Sequence, residues 1–269
     1  MNGIVINIDP VILRIGHFGI GWYSVAIIVA VIAAAFVAAR EAKRKGVPPQ
    51  EVYNVLPWIL IAGLIGARLL HVVDRWDYYS SNPLQIIQLQ QGGLAIWGGV
   101  FGGGIAAIIL ARIKGVPIGR AADIAAPALL TAQIIGRFGC IVNGDAYGGI
   151  TGLPWGFIYV HPDSAIPTSL RGVPTHPYPV YEMLWNLAVL LLIIRLRHRF
   201  ARDGLLFLSY LSLYSIGRLA LTFVRQENTM FWGLQQAQVL AIAVLIVSAT
   251  AFVYLLWKAR PDTTSEIAT

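Results

Sequence analysis

Five charged residues interrupt the long apolar stretches of this chain, and they are its first candidates for chemistry. Arg68, Arg137 and Arg218 lie within such stretches, Arg225 lies at the edge of one, and Glu182 lies near the start of another. An arginine at the centre of a membrane helix costs roughly 2.5–3.5 kcal/mol on insertion scales, so it usually faces the protein interior and has a partner. Snorkelling to the interface is the alternative. For Arg68 and Arg218 both interpretations stay open.

Arg137 and Arg225 carry the main functional hypothesis. Both fall near the ends of apolar stretches that are long enough to span a membrane. The distribution of basic residues predicts that these ends face away from the cytoplasm, so the two side chains can converge on one site at the depth of the lipid headgroups. A guanidinium is permanently charged and presents a planar fork of donors that suits phosphate oxygens. A buried Glu182 needs a cation, and Arg137 or Arg225 is the natural partner. The pattern predicts an anion-binding site, with a structural ion pair as the alternative.

Two further residues are candidates for structural roles. Asp123 falls at the start of the fourth predicted span, where we expect it to cap the helix N-terminus. Cys140 is the only cysteine, which excludes an internal disulfide and a cysteine-rich metal site. We expect Cys140 to be a small side chain packed at a helix end. The chain also lacks an aspartate cluster of the D-x-x-D-G kind, so we expect no metal site and no cofactor.

The composition indicates which solvent surrounds these residues. Of the 269 residues, 57% are hydrophobic and 12% are charged, whereas a soluble domain has roughly 25% charged residues. The net charge of +7 does not indicate a nucleic-acid partner, because the basic residues form no continuous stripe. A bilayer needs about 20 apolar residues per helix, and the pattern predicts an all-α, polytopic membrane protein. The seven predicted spans are 18–39, 53–73, 92–112, 120–140, 178–196, 204–224 and 235–257.

The basic residues outside the spans predict the orientation. Thirteen of them follow or flank spans one, three, five and seven, and four fall on the opposite side. Because cytoplasmic connections are rich in lysine and arginine, we expect an extracytoplasmic N-terminus and a cytoplasmic C-terminus. The thirteen are Arg40, Lys43, Arg44, Lys45, Arg112, Lys114, Arg120, Arg195, Arg197, Arg199, Arg202, Lys258 and Arg260. The four are Arg14, Arg75, Arg171 and Arg225.

The domain organisation is predicted to be a single membrane domain over residues 1–269. The long connection 141–177 is rich in aromatic residues, which favour the headgroup level, so we predict an extracytoplasmic cap there. Residues 261–269 are predicted to be a disordered cytoplasmic tail. Glycines spaced four apart within 92–104 favour close helix packing, with a backbone lining for a lipid-sized cavity as the alternative.

The stretch 136–148, GRFGCIVNGDAYG, resembles the signature G-R-x-G-N-F-x-N-G-E-x-x-G of the prolipoprotein diacylglyceryl transferase family. Five further pieces resemble that family in the same order, and together they cover essentially the whole chain. These pieces are Trp22-Tyr23, the glycine-rich run with Gly92-Gly93-Leu94 and Trp97-Gly98-Gly99, Asp123 to Pro127, His176-Pro177 with Tyr181-Glu182, and Phe223-Val224-Arg225-Gln226.

The resemblance implies transfer of the diacylglyceryl group of phosphatidylglycerol to the lipobox cysteine thiol of a prolipoprotein. A thioether forms and glycerol 1-phosphate leaves, in a bacterial plasma membrane. The implied catalytic residues are Arg137, Arg225 and Asn143. The implied substrate-binding residues are Arg137, Tyr23, Gly98, Gly99, Asp145, Gly148, His176 and Glu182. The implied partners are phosphatidylglycerol, the lipobox of a prolipoprotein signal peptide and membrane lipid.

Three departures from the family pattern affect the expected mechanism. Cys140 replaces an asparagine, Asp145 replaces a glutamate, and Trp97 stands where some members carry a histidine proposed as a base. The general base therefore stays open, with His176 as the best histidine candidate on the outer side. A membrane transporter of a small anionic solute or lipid is the alternative function, since it would share the spans and the buried charges.

Overall fold

The computed structural model describes residues 3–16, 18–88, 92–200, 202–225, 229–231 and 234–258, with the backbone alone for 15, 18 and 229–231. Within these ranges it is mostly helical, and seven helices are long and apolar enough to cross a membrane. The prediction of a polytopic, helical membrane protein is confirmed. The seven are α1 (Trp22–Arg44), α2 (Pro49–Asp74), α4 (Ile96–Ile113), α5 (Ile118–Asn143), α6 (Tyr178–Leu196), α7 (Leu205–Thr222) and α8 (Gln236–Trp257).

A repeated Gly-Val-Pro sequence ends two of these helices. After α1, Gly46 has φ +74°, and after α4, Gly115 has φ +67°, a backbone conformation that glycine adopts without strain. The next valine then bonds back to the helix, at 2.8 Å from the Val47 nitrogen to the Ala42 oxygen. This is a Schellman-type end, and the proline that follows cannot continue the helix. The local sequence therefore sets both turns without help from the rest of the chain.

The chain divides into two compact units, which we describe separately: Ala38–Ile124, and Met1–Val37 with Ala125–Thr269. In the Ala38–Ile124 unit, α2 and α4 meet along glycines. A Cβ added to Gly66 would lie 2.3 Å from the Gly98 oxygen, and one added to Gly102 would lie 2.5 Å from the Ala62 oxygen. Only glycine permits this approach, so the prediction of close glycine-mediated packing is confirmed. The unit also contains the short helix α3 (Trp76–Ser81) and a 3-10 turn (Pro83–Ile87).

In the other unit, α5, α6 and α7 pack around an apolar cluster. The side chains of the cluster are almost fully buried, and partly buried aromatic residues such as Trp185 and Tyr214 cover them. This apolar level fixes the three helices beside one another, which the site described below requires. The cluster residues are Ala126, Leu130, Val189, Ile193, Leu206 and Tyr210.

Short strands accompany the helices in the same unit. Strand β1 (Ile4–Ile6) pairs in parallel with β4 (Phe157–Tyr159), β2 (Val11–Ile15) forms a hairpin with β3 (Phe18–Gly21), and β5 (Thr229–Phe231) pairs with β6 (Leu234–Gln235). The β1–β4 pair joins the start of the chain to the 144–177 connection, a link that the apolar pattern did not predict.

Tyr159 anchors that connection. Its hydroxyl donates to the Ile141 carbonyl at 2.9 Å, and its ring is buried with Phe157 and Ile166. Burial raises the pKa of the Tyr159 phenol, so the hydroxyl stays protonated and able to donate.

Several predicted boundaries are corrected by the structure. Residues 18–21 are β3 rather than helix, and Gly92 and Gly93 precede α4. Helix α5 runs to Asn143, so residues 141–143 of the predicted cap are helical. Asp123 does not cap α5, which begins at Ile118; it lies inside the helix, fully buried, and pairs with Lys45 at 2.7 Å. The predicted tail, 261–269, lies outside the described residues.

Candidate active site

A buried carboxylate organises the charged residues of α5, α6 and α7. Glu182, in the second turn of α6, is 3% exposed. Its Oε1 accepts from Arg137 Nη2 at 2.6 Å, and its Oε2 accepts from Arg218 Nη1 at 3.4 Å. A carboxylate has enough lone pairs to accept from two guanidinium groups. One anion thus holds two cations from two other helices.

Tyr178 brings a third arginine to the same place. It is fully buried at the first position of α6, and its hydroxyl accepts from Arg218 Nη1. The Arg225 Cζ lies 5.1 Å from the Tyr178 ring centroid, and the Arg218 Cζ lies 5.9 Å from it. These are cation–π distances. We refer to Arg137, Arg218, Arg225, Glu182 and Tyr178 as the arginine cluster.

Helix geometry sets the arginine cluster at one level. Arg137 lies near the C-terminal end of α5, Tyr178 and Glu182 at the start of α6, and Arg218 near the end of α7. Two guanidinium groups bond to the single Glu182 carboxylate, so this pairing leaves an excess of positive charge, and a third guanidinium lies against the Tyr178 ring. The Arg137 and Arg218 side chains are 21% and 19% exposed, so a ligand can reach them. The arrangement suits a phosphate group.

The sequence anticipated part of this arrangement. The predicted Arg137–Glu182 pair is present, and Arg225 converges on the same site through Tyr178. The second cation on Glu182 is Arg218 rather than Arg225. Sequence reasoning left Arg218 undecided and missed Tyr178. The sequence did hold a signal for Arg218, because one buried carboxylate can accept hydrogen bonds from two arginines.

The signature residues surround the end of α5. Cys140 is buried, as expected of a packed side chain, and its Sγ lies 3.6 Å from Arg137 Nη1. Asn143 is the last residue of α5, and its carbonyl accepts from the Ala165 N–H at 2.8 Å. Asp145 is exposed. Of these three residues, Cys140 is the one that contacts Arg137.

Tyr23 packs against the signature helix. A Cβ added to Gly139 would lie 3.0 Å from the Tyr23 Cα, so α1 and α5 approach closely here. Tyr23 and the signature therefore lie side by side.

Gly148 lies where three segments cross. Its N–H donates to the His176 carbonyl at 3.0 Å, and the neighbouring Gly149 N–H donates to the Val224 carbonyl at 2.8 Å. Gly148 also forms a bridge with Arg225. A Cβ on Gly148 would lie 2.7 Å from the His176 Cβ. Gly148 therefore fixes the backbones that carry His176 and Arg225.

His176 belongs to an aromatic group at the start of α6. Its Nδ1 lies 3.3 Å from the Tyr181 hydroxyl, which also accepts from Trp155 Nε1 at 2.9 Å. The Tyr181 hydroxyl therefore links the Trp155 and His176 side chains and holds the His176 ring in place.

Carboxylates and a histidine also meet beside the β2–β3 hairpin. Ligand atoms of Asp9, His161 and Asp163 lie within 4.8 Å of one another. Arg14 occupies this group, with its guanidinium 2.9 Å from Asp9 and 2.8 Å from Asp163. The Val11 N–H and then the Arg14 charge lower the pKa of Asp9. The Arg14 guanidinium therefore takes the position beside the two carboxylates that a metal ion would otherwise occupy.

The candidate residues of the Ala38–Ile124 unit have structural contacts. Gly98 faces Gly66 backbone to backbone, and Gly99 lies above Gly63. Arg68 is buried and donates all five of its N–H groups to backbone carbonyls, at 2.5–3.3 Å. Arg68 has no donor left for a substrate, so it holds the α2–α4 connection instead. The accepting carbonyls belong to Gln85, Ile86, Gln88, Gly92 and Gly93.

Fold and site together define a multi-pass membrane protein with a positively charged site between helices. The family model for prolipoprotein diacylglyceryl transferase matches residues 10–254. A phosphatidylglycerol–prolipoprotein diacylglyceryl transferase of Lysinibacillus sphaericus is 37% identical over 265 residues, covering 97% of each chain. One of Clostridioides difficile is 34% identical over 258 residues, covering 96% of this chain and 100% of the relative. The chain belongs to the prolipoprotein diacylglyceryl transferase family, and it is a transferase of bacterial membranes.

Proposed function

We propose that this chain transfers the diacylglyceryl group of phosphatidylglycerol to the lipobox cysteine of prolipoproteins, the first step of lipoprotein maturation. The relatives' names give both substrates. One observation carries the proposal: two guanidinium groups share the Glu182 carboxylate, and a third lies against the adjoining Tyr178 ring. The leaving group of this reaction is a phosphate monoester, which gains negative charge as it departs.

The reaction balances without a nucleophile from the enzyme. The substrate thiol sulfur attacks the carbon of the diacylglyceryl unit that bears the phosphate. A C–S bond forms, and the C–O bond between that carbon and the phosphate breaks. The leaving phosphate monoester has a second pKa of about 6, so it can take the thiol proton as it departs. A free thiol has a pKa of about 8.5, so reaching the thiolate at pH 7 costs ~2 kcal/mol. Stabilisation of phosphate charge by preorganised cations is the larger contribution.

The residues divide into proposed roles. Arg137, Arg225 and Asn143 are the proposed catalytic group from the sequence, and the contacts of Glu182 add Arg218. The close approach of Gly98 to Gly66 supports packing rather than substrate contact for the glycine pair 98–99. The remaining proposed substrate-binding residues are Tyr23, Asp145, Gly148, His176 and Glu182.

In the proposed orientation, the N-terminus lies outside the cytoplasm and the C-terminus lies on the cytoplasmic side of the plasma membrane. Basic residues at the ends of α1, α4 and α6 support it. The arginine cluster then lies toward the extracytoplasmic side, where phospholipid headgroups are present. Residues 144–177 remain the proposed extracytoplasmic cap of a single membrane domain, and we propose no nucleic-acid partner.

The test uses purified protein in vesicles that contain phosphatidylglycerol, with a peptide that carries a lipobox cysteine. Mass spectrometry should show the peptide gaining one diacylglyceryl group in a thioether link, with release of glycerol 1-phosphate. A peptide with serine in place of that cysteine is the matched control. Absence of transfer from phosphatidylglycerol by folded protein would contradict the proposal.

A further inference from the structure

Two uncharged amides lie one helical turn from the arginine cluster. On α5, Gln133 precedes Arg137 by four residues, and on α6, Asn186 follows Glu182 by four residues. Residues four apart share a helix face, separated by about 5–6 Å along the axis. Three residues further along, Leu130 and Val189 belong to the apolar cluster. Gln133 and Asn186 therefore form a polar level between the ionic and apolar levels.

Both amides have buried atoms with unused hydrogen-bonding capacity, although Gln133 as a whole is half-buried. Asn186 is 0% exposed, and neither its Nδ2 nor its Oδ1 has a partner within the described part of the chain. The Gln133 Nε2 donates to the Tyr210 hydroxyl at 2.9 Å, while its Oε1 has no partner there. Buried polar groups in proteins are nearly always paired, because leaving them unpaired is costly. The level thus offers an amide donor and two carbonyl acceptors.

The free groups match one ligand chemistry. A hydroxyl both donates and accepts, so a diol satisfies the acceptors and the donor together. A phosphate group cannot bind at this level in addition to one at the arginine cluster, because its oxygens would meet the side-chain carbonyl oxygens of Gln133 and Asn186. A cationic headgroup is disfavoured by the excess of arginines one turn away. An uncharged polyol remains.

We infer that Gln133 and Asn186 form a hydroxyl-binding subsite that takes the glycerol headgroup of the phospholipid whose phosphate binds the arginine cluster. The inference rests on the proposed function and extends it to headgroup choice. A three-carbon headgroup is about as long as one helical turn, ~5.4 Å, which is the separation between the two levels. The subsite separates phosphatidylglycerol from lipids without headgroup hydroxyls.

The test compares phosphatidylglycerol with phosphatidylpropanol, which has the same phosphate and carbon chain but lacks both headgroup hydroxyls. The quantity measured is the ratio of kcat/KM for the two lipids. The wild-type protein should prefer phosphatidylglycerol by roughly 10- to 100-fold, the loss expected when hydrogen bonds to buried groups go unmade. Asn186→Leu should bring the ratio close to one.

Two further variants keep the result interpretable. Gln133→Leu should lower the ratio in the same direction, and it serves if Asn186→Leu does not fold. Asn54→Leu is the matched control, because Asn54 is an exposed asparagine in α2, and its ratio should equal that of the wild type. Asn186→Leu should also raise the melting temperature, since it removes an unpaired buried amide.

Three outcomes decide the inference. A collapsed ratio in both variants supports it. A wild-type ratio near one overturns it and leaves the amides to bind water only. A variant that loses activity equally on both lipids also overturns it, because that result indicates a purely structural role. Absence of transfer from either lipid by the wild type would instead refute the proposed function.

Discussion

Replacing Arg137 by alanine removes the nearer of the two cations on Glu182, which lie at 2.6 Å and 3.4 Å. In the variant, Glu182 and Arg218 neutralise each other, and the charge excess of the arginine cluster falls by one unit. A unit charge 4–6 Å from the phosphate contributes about 3–4 kcal/mol at an effective dielectric constant of ~20. Transfer should therefore slow by roughly 10²–10³-fold, measured as kcat/KM for peptide modification. Arg137→Lys should also be poor, because an ammonium does not replace a guanidinium fork.

The double variant Arg137→Ala with Glu182→Gln tests whether charge is the cause. Glutamine has nearly the same shape as glutamate, so the substitution frees Arg218 and restores one unit of positive charge. We expect it to recover at least about tenfold of the lost rate, and at most the roughly 10²–10³-fold that one unit of charge contributes. Arg75→Ala is the control, since Arg75 is an exposed arginine outside the cluster. A double variant no faster than Arg137→Ala, in protein with normal gel-filtration and melting behaviour, would refute the electrostatic reasoning.

Three other predictions concern different parts of the chain. Cys140→Ala should retain most of the activity, because the substrate supplies the nucleophile; a diacylglyceryl adduct on Cys140, detected by mass spectrometry, would overturn this. Arg68→Lys should lower the melting temperature by several degrees, because an ammonium has three N–H groups for five carbonyls; unchanged melting would contradict the structural role. Reporter fusions after Lys45 and Arg199 should both behave as cytoplasmic, and an external signal from both would reverse the proposed orientation.

The apolar pattern predicted the seven spans because a bilayer imposes a length and a composition on each helix. It predicted that Glu182 pairs with Arg137 or Arg225, because few ions occur at membrane depth and each needs a partner there. It predicted close packing along the glycines of α4 because small residues at this spacing let helix backbones approach, although it did not identify α2 as the partner. These features depend on local composition, which a single sequence displays.

Other features depend on which face of a helix is buried, and uniformly apolar spans conceal this. Hydrophobic periodicity reveals the core face of a helix in water, but lipid-facing and core-facing residues are both apolar here. Arg218, Gln133 and Asn186 therefore could not be assigned to the interior before the structure. Asp123 was misplaced because α5 begins five residues earlier, at Ile118, and its partner Lys45 is 78 residues away.

The five backbone carbonyl groups that accept hydrogen bonds from Arg68 have a consequence for biosynthesis. The last of its partners, Gly93, follows Arg68 by 25 residues, so α2 leaves the ribosome well before its charge can be satisfied. At 5–20 residues per second, that interval lasts about 1–5 s. During this time the nascent helix holds a cation without its carbonyl partners, at an insertion penalty below the roughly 2.5–3.5 kcal/mol of an arginine at the helix centre, because Arg68 lies near the end of α2. We therefore expect stable membrane integration of α2 to need the chain through Gly93, the segment that connects it to α4.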